Sequence, residues 1–197
     1  MASREEILAA LQGAAVPAQP LPAEPPAAAV RYPDPVARLA DAVRAVGGGM
    51  VRTPSAAELA REVAALAGRV HATRIVSEVP EAGGGTLRLT EVADPHDLEG
   101  VQLAVLPGAF AVAETGAVWL PTAAFRHRGV FVIAEHLALV VRADAIVNDM
   151  HEAYARLRFD GPGFGVFIDG PSKTADIEQA LVIGAHGPRS CTVFVVG

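Results

Sequence analysis

The chain has 197 residues, of which 51% are hydrophobic and 5% aromatic, and its 16 basic and 22 acidic side chains give a formal net charge of −6 at pH 7. This length suits one large domain, or one domain with a short appendage, and the apolar share is sufficient for a sizeable core of small side chains. A mildly acidic chain without a basic tract is a poor candidate for binding nucleic acid or an anionic membrane.

Cysteine content and hydropathy further restrict the class of protein to which the chain can belong. Cys191 is the only cysteine, so the chain alone cannot form an internal disulfide, a Cys-rich zinc site or an iron–sulfur cluster. The longest apolar run, residues 129–141, is broken by Glu135 and His136 and is shorter than the ~18 residues that a membrane span needs. The N-terminus has no apolar signal-peptide segment. We therefore expect a cytoplasmic α/β protein without a membrane span, and we predict no metal site.

The first predicted element is a short amphipathic helix at about residues 4–14. Ser3 and Glu6 have the spacing of a capping box, and three apolar residues then form one stripe, namely Ile7, Leu8 and Leu11. The prolines that follow favour an extended leash; they are Pro17, Pro20, Pro22, Pro25 and Pro26. We expect residues 1–33 to form this helix and leash, and residues 34–197 to form the domain. The helix is either a docking or exchange arm or a frayed terminus.

The body is predicted to alternate between helices and short apolar strands. Helices are predicted from about Asp34 to the Gly47 stop, from the Ser55 capping box to about Ala67, and at about residues 143–157 and 174–183. Strands are predicted at about residues 73–76, 102–106, 109–114, 117–120, 130–133, 137–141, 164–168 and 192–196. This pattern argues for an α/β fold with a sheet buried on both faces. The consecutive strands between residues 101 and 141 predict that part of the sheet is antiparallel.

The densest polar motif is the segment 169–178, DGPSKTADIE, between a predicted strand and a predicted helix. Open α/β sheets bind ligands outside the carboxyl ends of their strands, which makes this segment a candidate site. It is not a P-loop, because Lys173 and Thr174 follow the second glycine two residues too late. The glycines at 161, 163 and 165 are no dinucleotide fingerprint either, because they precede a strand.

Two interpretations of this segment stay open. In the first, the hydroxyls of Ser172 and Thr174 cap the predicted helix, and Asp176 and Glu178 complement its dipole. In the second, the segment forms a ligand site, because it offers more polar groups than a cap requires. The acidic pair argues against an anion bound at the helix N-terminus itself.

The next motif, GAHGPR at residues 184–189, follows the same predicted helix. Its glycines allow a tight turn and a close approach to a ligand. His186 could carry a proton at neutral pH, and Arg189 could clamp an anion. The alternative is a helix C-cap in which both side chains merely suit the negative end of the dipole.

Two further sites place titratable residues among apolar ones. Glu114, Thr115 and Gly116 lie between two predicted strands, where Glu114 is either solvated in a turn or a cleft carboxylate with a raised pKa. Glu135 and His136 interrupt an apolar run, which indicates a break, a cleft edge or an internal pair, or else a satisfied core histidine.

Together these motifs resemble the LUD-domain family, of the lactate-utilisation protein C type. The sharpest matches are GPSKTADIE at residues 170–178 and GAHGPR at 184–189, where the family pattern is similar to G-P-S-R/K-T-A-D-I-E and G-V-H-G-P-R. AETG at residues 113–116 also resembles a family block. The resemblance covers most of the chain and is sharpest from about residue 109 onward. One difference is the approach to His136, which is Val-Ile-Ala-Glu here and of the form L-P-P-x in many family members.

The resemblance implies a layered α/β/α sandwich around a mixed sheet, similar to the sugar-phosphate isomerase and CoA-transferase superfamily. It also implies a role in oxidising L-lactate to pyruvate together with partner proteins that carry the iron–sulfur clusters. The single cysteine agrees with this division, because this chain cannot be the cluster carrier. No cofactor is expected on this chain alone.

The motifs give a set of candidate site residues. The candidate catalytic groups are Glu114, His136, Asp176 and His186. The candidate ligand-binding residues are Thr115, Gly116, Gly170, Ser172, Lys173, Thr174 and Arg189. Two other functions stay open: a stand-alone enzyme acting on a small carboxylate, a CoA ester or a sugar phosphate, and a metabolite-binding module without chemistry. Homo-oligomerisation also stays open.

Overall fold

A computed structural model of the chain describes residues 3–14, 16, 19–20, 30–121, 123, 125–158, 164–176 and 180–197. Its helices are α1 (Arg4–Gly13), α2 (Pro35–Ala45), α3 (Ala56–Arg69), α4 (Val130–Ile133) and α5 (Met150–Arg156). Its strands are β1 (Gly49–Thr53), β2 (Ile75–Ser77), β3 (Leu103–Pro107), β4 (Phe110–Val112), β5 (Val118–Pro121), β6 (His136–Arg142), β7 (Ile146–Val147), β8 (Gly165–Ile168), β9 (Lys173–Thr174), β10 (Val182–Ile183) and β11 (Ser190–Val196). Among these residues no helix has both the length and the apolar character needed to cross a bilayer.

Two sheets build the body. The central sheet has five parallel strands in the order β1-β11-β6-β3-β2. The second sheet has the order β7-β4-β5-β8, and its β4–β5 and β5–β8 pairs are antiparallel. The predicted α/β fold is confirmed. The antiparallel pairing expected between residues 101 and 141 is found in the second sheet, whereas the central sheet is parallel throughout.

The central sheet is buried on both faces, as the continuous apolar strands predict. Leu137 and Leu139 of β6 belong to a core cluster with Leu39 and Val43 of α2 and with residues of the second sheet. The intervening Ala138 belongs to the opposite cluster, which contains the buried face of α3. Successive residues of a strand point to opposite faces, so this alternation fixes which β6 side chains can reach each layer.

Three predicted elements are wrong. Residues 130–133 form the short helix α4 rather than a strand, because a short apolar run does not by itself distinguish the two. Residues 143–149 do not form an α-helix. A 3₁₀ turn leads into β7, which pairs with β4. Helix α5 begins only after its N-cap residue Asp149. The predicted helix at 174–183 is replaced by the antiparallel β9–β10 pair, and its residues 177–179, including Glu178, lie outside the described residues. Strand β1 was not predicted.

The start of the body is held by two polar residues, Asn148 just ahead of α5 and Glu152 within it. The amide of Tyr32 donates to Asn148 Oδ1 at 2.9 Å, and Arg31 Nη1 lies 3.6 Å from Glu152 Oε1. The amide of Asn148 in turn donates to Glu152 Oε2 at 2.8 Å. These hydrogen bonds from Asn148 are the main cause of the lowered pKa of Glu152. The division of the chain into an N-terminal helix and leash (residues 1–33) and a domain (residues 34–197) stays a prediction.

We predict that Glu152→Gln destabilises the protein in a pH-dependent way. The folded pKa of Glu152 lies below its ordinary value of 4.5, so the stability that it contributes is complete above that value and is lost as the pH falls through the lowered folded pKa. In urea unfolding, the wild type should therefore be more stable than the variant at pH 7, and the difference should shrink toward about pH 3. Glu5→Gln, on the exposed helix α1, is the matched control, and an equal loss at both pH values would contradict the role of the charge.

Candidate functional site

A cavity of about 410 Å³ lies where the two motifs rich in glycine and proline meet. One wall is the end of β8 and the segment Asp169–Ser172, and the facing wall is the loop His186–Pro188. Side chains of α4 and Leu137 of β6 complete the lining. The two segments that carry the sharpest sequence motifs therefore share one cavity, although they are separated along the chain by the β9–β10 pair.

Backbone contacts hold the two walls together. The amide of Ser172 donates to the carbonyl of Pro188 at 2.9 Å, and the amide of Gly184 donates to the carbonyl of Ser172 at 2.9 Å. A Cβ atom at Gly187 would lie 2.9 Å from the Cβ atom of Ser172. A glycine at this position is therefore a packing requirement, and the walls approach each other more closely than two side chains would allow.

The cavity is mainly apolar, with a few polar groups at its edge. Arg128 and His186 are exposed and contribute cationic or protonatable groups, and the partly buried Ser172 contributes a hydroxyl. Asp169 is the acidic lining residue; desolvation raises its pKa, and the nearby Lys173 opposes this shift. Sites for small organic ligands have this composition, with an apolar lining and a few polar groups that fix orientation. A guanidinium, an imidazole and a hydroxyl can together bind a small organic anion.

The position of the cavity differs from the expectation for an open α/β sheet. Leu137 is near the beginning of β6, and the loop His186–Pro188 directly precedes β11, so the cavity lies at the amino ends of the central strands. The segment 169–172 does follow the carboxyl end of a strand, as predicted, but that strand is β8 of the second sheet.

Neither motif is a helix cap. Thr174 pairs with Val182, and Lys173 with Ile183, in the β9–β10 ladder. Residues 173–174 form a strand rather than the first turn of a helix, so the capping interpretation of Ser172 and Thr174 is wrong, and the ligand-site interpretation stays a prediction. Asp176 is exposed and is not among the residues that line the cavity.

His136 precedes the cavity-lining residue Leu137 in the sequence, but His136 itself does not line the cavity. Its neighbour Leu137 lines the cavity, whereas His136 Nδ1 lies 2.7 Å from Ser190 Oγ, across the β6–β11 pair. Because neighbouring strand residues point to opposite faces, the imidazole lies on the α3 side of the sheet. Burial is the main cause of its lowered pKa, which favours the neutral form of the ring. His136 is thus a partly buried histidine with a hydroxyl partner.

Arg189 also connects the two strands β6 and β11 where they begin. Its guanidinium lies 3.5 Å from the carboxylate of Glu135, and its amide donates to the carbonyl of Glu135 at 2.7 Å. It is not among the cavity-lining residues. The ion pair joins the starts of β6 and β11, and the anion clamp at Arg189 stays a prediction.

The Glu114 motif forms a turn that holds two helices. Glu114 Oε2 accepts from the amide of Met150 at 3.2 Å, at the start of α5, and the Glu114 carbonyl accepts from Arg38 Nη2 of α2 at 2.8 Å. Thr115 Oγ1 accepts from the amide of Ala117 at 3.2 Å. These contacts occupy the carboxylate and the hydroxyl in structural roles, and neither side chain lines the cavity.

Gly116 and Gly170 both pack against helix α2. Gly116 has a φ of +90°, and a Cβ atom there would lie 2.9 Å from the amide nitrogen of Val43. Gly170 has a φ of +75°, and its Cβ atom would lie 2.9 Å from the carbonyl oxygen of Val46. Val43 and Val46 are about one helical turn apart, so α2 brings the two motifs to the same end of the second sheet.

The candidate residues from the sequence and the residues that line the cavity coincide only in part. Gly170, Ser172 and His186 line the cavity as predicted candidates, whereas Arg128 and the carboxylate of Asp169 were not selected. Arg128 had only a weak sequence signal, the short basic cluster just before the apolar run of α4. Among the described residues, no group of three or more His, Cys, Asp or Glu side chains is arranged to hold a metal ion.

Comparison with known proteins agrees with these motifs. Residues 102–196 match the family model described as LUD domain. Lactate utilization protein C of Deinococcus radiodurans is 34% identical over 153 residues, which cover 73% of this chain and 71% of that protein. The chain belongs to the LUD domain family. Lactate utilization protein C of Halalkalibacterium halodurans is 31% identical over 115 residues, covering 55% of this chain and 48% of that one.

The fold is also shared with a solved structure. A crystal structure of a DUF162 family protein from Deinococcus radiodurans matches 85% of this chain and 99% of its own, with a TM-score of 0.64 and 23% sequence identity. This likeness establishes the fold of this LUD-family chain. It carries no information about the chemistry of the cavity.

We predict that Gly116→Ala lowers the free energy of unfolding by about 2–4 kcal/mol, because it adds both a strained φ and a clash with α2. Gly100→Ala is the matched control: Gly100 has a φ of +76° but open space around its Cβ position, so only the backbone strain of about 1–3 kcal/mol applies. Urea unfolding of the two variants measures the difference. Equal losses would mean that the contact with Val43 contributes nothing.

We also predict that Cys191 is unreactive in the folded protein. It is 2% exposed in β11, and burial, with a smaller contribution from Asp169, raises the pKa of its thiol to about 12. The thiolate is the reactive species, so a disulfide reagent at pH 8 should label the native protein far more slowly than the protein in guanidinium. Rapid labelling without unfolding would contradict the packing of β11.

Proposed function

We propose that this chain acts in lactate utilisation, as the ligand-binding component of a complex that oxidises L-lactate to pyruvate with iron–sulfur partner proteins. Membership of the LUD family and the names of the relatives support the pathway. The observation that carries the proposal is the cavity itself, where Ser172 and His186 from the two motifs meet beside Arg128.

The chemistry of the reaction fits these groups. Oxidation of L-lactate removes two electrons and two protons, breaking the C2–H and O–H bonds and leaving a C=O bond. Arg128 is suited to the carboxylate, the Ser172 hydroxyl to a further hydrogen bond, and His186 to accept the proton of the substrate hydroxyl.

The two electrons require an acceptor outside this chain. Iron–sulfur clusters are held by several cysteine thiolates, and this chain has one cysteine, which is buried within β11. The residues present therefore do not fit a cluster. We assign the acceptor of the C2 hydrogen and of the two electrons to a partner protein, and the role of this chain is to bind and orient the substrate and to receive the hydroxyl proton.

The proposal is tested by isolating the tagged chain from its native cells grown on L-lactate. The bound fraction is assayed for iron, for acid-labile sulfide and for lactate-dependent dye reduction. We expect an iron-containing, active complex. A partner-free chain without iron contradicts the proposed complex, and turnover of a CoA ester or sugar phosphate by the isolated chain would favour the stand-alone enzyme.

We predict that His186→Ala retains the partners and iron but lowers lactate oxidation by about 10²-fold or more, the usual effect of losing a general base. His151→Ala is the matched control, because His151 is an exposed histidine on α5 outside the cavity lining. The comparison is made on the complex at equal iron content. Unchanged turnover in the His186 variant would remove this cavity from the reaction.

A further inference from the structure

A second cavity, of about 360 Å³, lies on the face of the second sheet that points away from the central sheet. Phe110 of β4 and Trp119 of β5 line it and pack with the cluster on that outer face. Their strand neighbours Ala111 and Val118 belong to the core between the two sheets. We call this the aromatic cavity, and its volume is within the range of sites for small organic ligands.

The wall of the aromatic cavity is built from rings in register. Phe110 pairs with Trp119 across β4–β5, and Trp119 pairs with Phe167 across β5–β8. The ring centroids of these pairs lie 6.3 Å and 4.6 Å apart. A Cβ atom at Gly165 would overlap the indole of Trp119, so the glycine lets the indole lie against the β8 backbone. The position of the indole is therefore fixed before any ligand binds.

The charged residues of the described lining are two arginines, Arg156 and Arg158, and none of the lining residues that the structure describes is acidic. Arg156 Cζ lies 5.8 Å from the Phe110 centroid, and its Nη1 donates to the Ala145 carbonyl at 3.4 Å. Neither guanidinium forms an ion pair with a described carboxylate. Arg156 lies in the last turn of α5, where it offsets the negative end of the helix dipole. Arg158 follows the helix and adds a further positive charge, which favours an anion here.

Phe164 connects the aromatic cavity with the cavity between residues 169–172 and 186–188. It lines both cavities and is 56% exposed, and Arg128 Cζ lies 5.8 Å from its ring centroid. Aromatic side chains stack with planar rings of many kinds. Guanidinium groups bind phosphate and carboxylate through charge-assisted hydrogen bonds. Both kinds of group surround one cavity, so a single ligand can use them together.

We propose that the aromatic cavity binds a small ligand in which an aromatic ring carries a phosphate or a carboxylate group. The ring packs among the aromatic side chains, and the anionic group pairs with Arg158. A neutral aromatic compound leaves the guanidinium unpaired, and an anion without a ring leaves the aromatic wall exposed to water. Because Phe164 lines both cavities, the bound ligand lies next to the cavity that we assign to lactate.

The first test uses Trp119 as its own reporter, since it is the only tryptophan of the chain. The purified full chain is titrated with AMP, benzoate, adenosine and inorganic phosphate while its tryptophan emission is recorded. AMP represents a ring with a phosphate, and benzoate a ring with a carboxylate. We expect a saturable change with at least one of these two. Adenosine lacks the charge and inorganic phosphate lacks the ring, so each should bind about tenfold or more weakly than AMP, or not at all.

The second test compares matched variants. Arg158→Gln should weaken binding of the anion by about tenfold or more. Arg69→Gln, an exposed arginine of α3 on the other side of the central sheet, should bind as the wild type does. Phe164→Leu keeps an apolar side chain but removes the ring, and should also weaken binding. Its control is Tyr154→Leu, an exposed aromatic residue outside the described cavity lining. Thermal unfolding of each variant checks that the fold is retained.

Four results would overturn the proposal. They are an emission that no ligand changes, equal binding of AMP and adenosine, unchanged binding in both the Arg158 and the Phe164 variant, and binding that appears only after Phe159→Ala. Residues 159–163 lie outside the described residues, and the last result would mean that the ring of the chain's own Phe159 occupies the cavity. None of these measurements involves lactate or a partner protein, so their outcome is separate from that of the proposed function.

Discussion

The close contact between helix α2 and two turns of the second sheet is the constraint on which the cavity depends. Gly116 and Gly170 both have positive φ, and at each a Cβ atom would come within 2.9 Å of the α2 backbone. Only glycine satisfies both the backbone conformation and the close approach. The contact fixes the end of β8, and therefore the segment Asp169–Ser172 that forms one wall. The loop His186–Pro188 is then fixed against that wall by two backbone hydrogen bonds.

The sequence predicted the elements whose signals are local. Helices α2 and α3 have an N-cap residue and regular apolar spacing, and both formed near the expected positions. The β9–β10 pair was missed because its ladder joins residues 173–174 to 182–183, and no local pattern reports such a pairing. Strand β1 was missed because it is a half-exposed edge strand with few apolar residues, and its stability comes from pairing with β11.

The candidate site shows the same limit at the level of single side chains. Gly170, Ser172 and His186 could be predicted because glycines and prolines force their segments into turns. The sequence could not show which of the neighbours His136 and Leu137 faces the cavity. A shift of one residue along a strand moves a side chain to the opposite face of the sheet. Glu114 was a reasonable candidate as a carboxylate between apolar strands, but its oxygen accepts from the amide of Met150. The tertiary structure shows that this hydrogen bond gives the carboxylate a structural role.

If the cavity binds a small carboxylate, as proposed, the affinity depends on how far water is kept out. A carboxylate bound by Arg128 gains most where solvent is excluded, because charge-assisted hydrogen bonds strengthen as the local dielectric falls. The apolar lining from α4, β6 and the end of β8 supplies that environment beside Arg128.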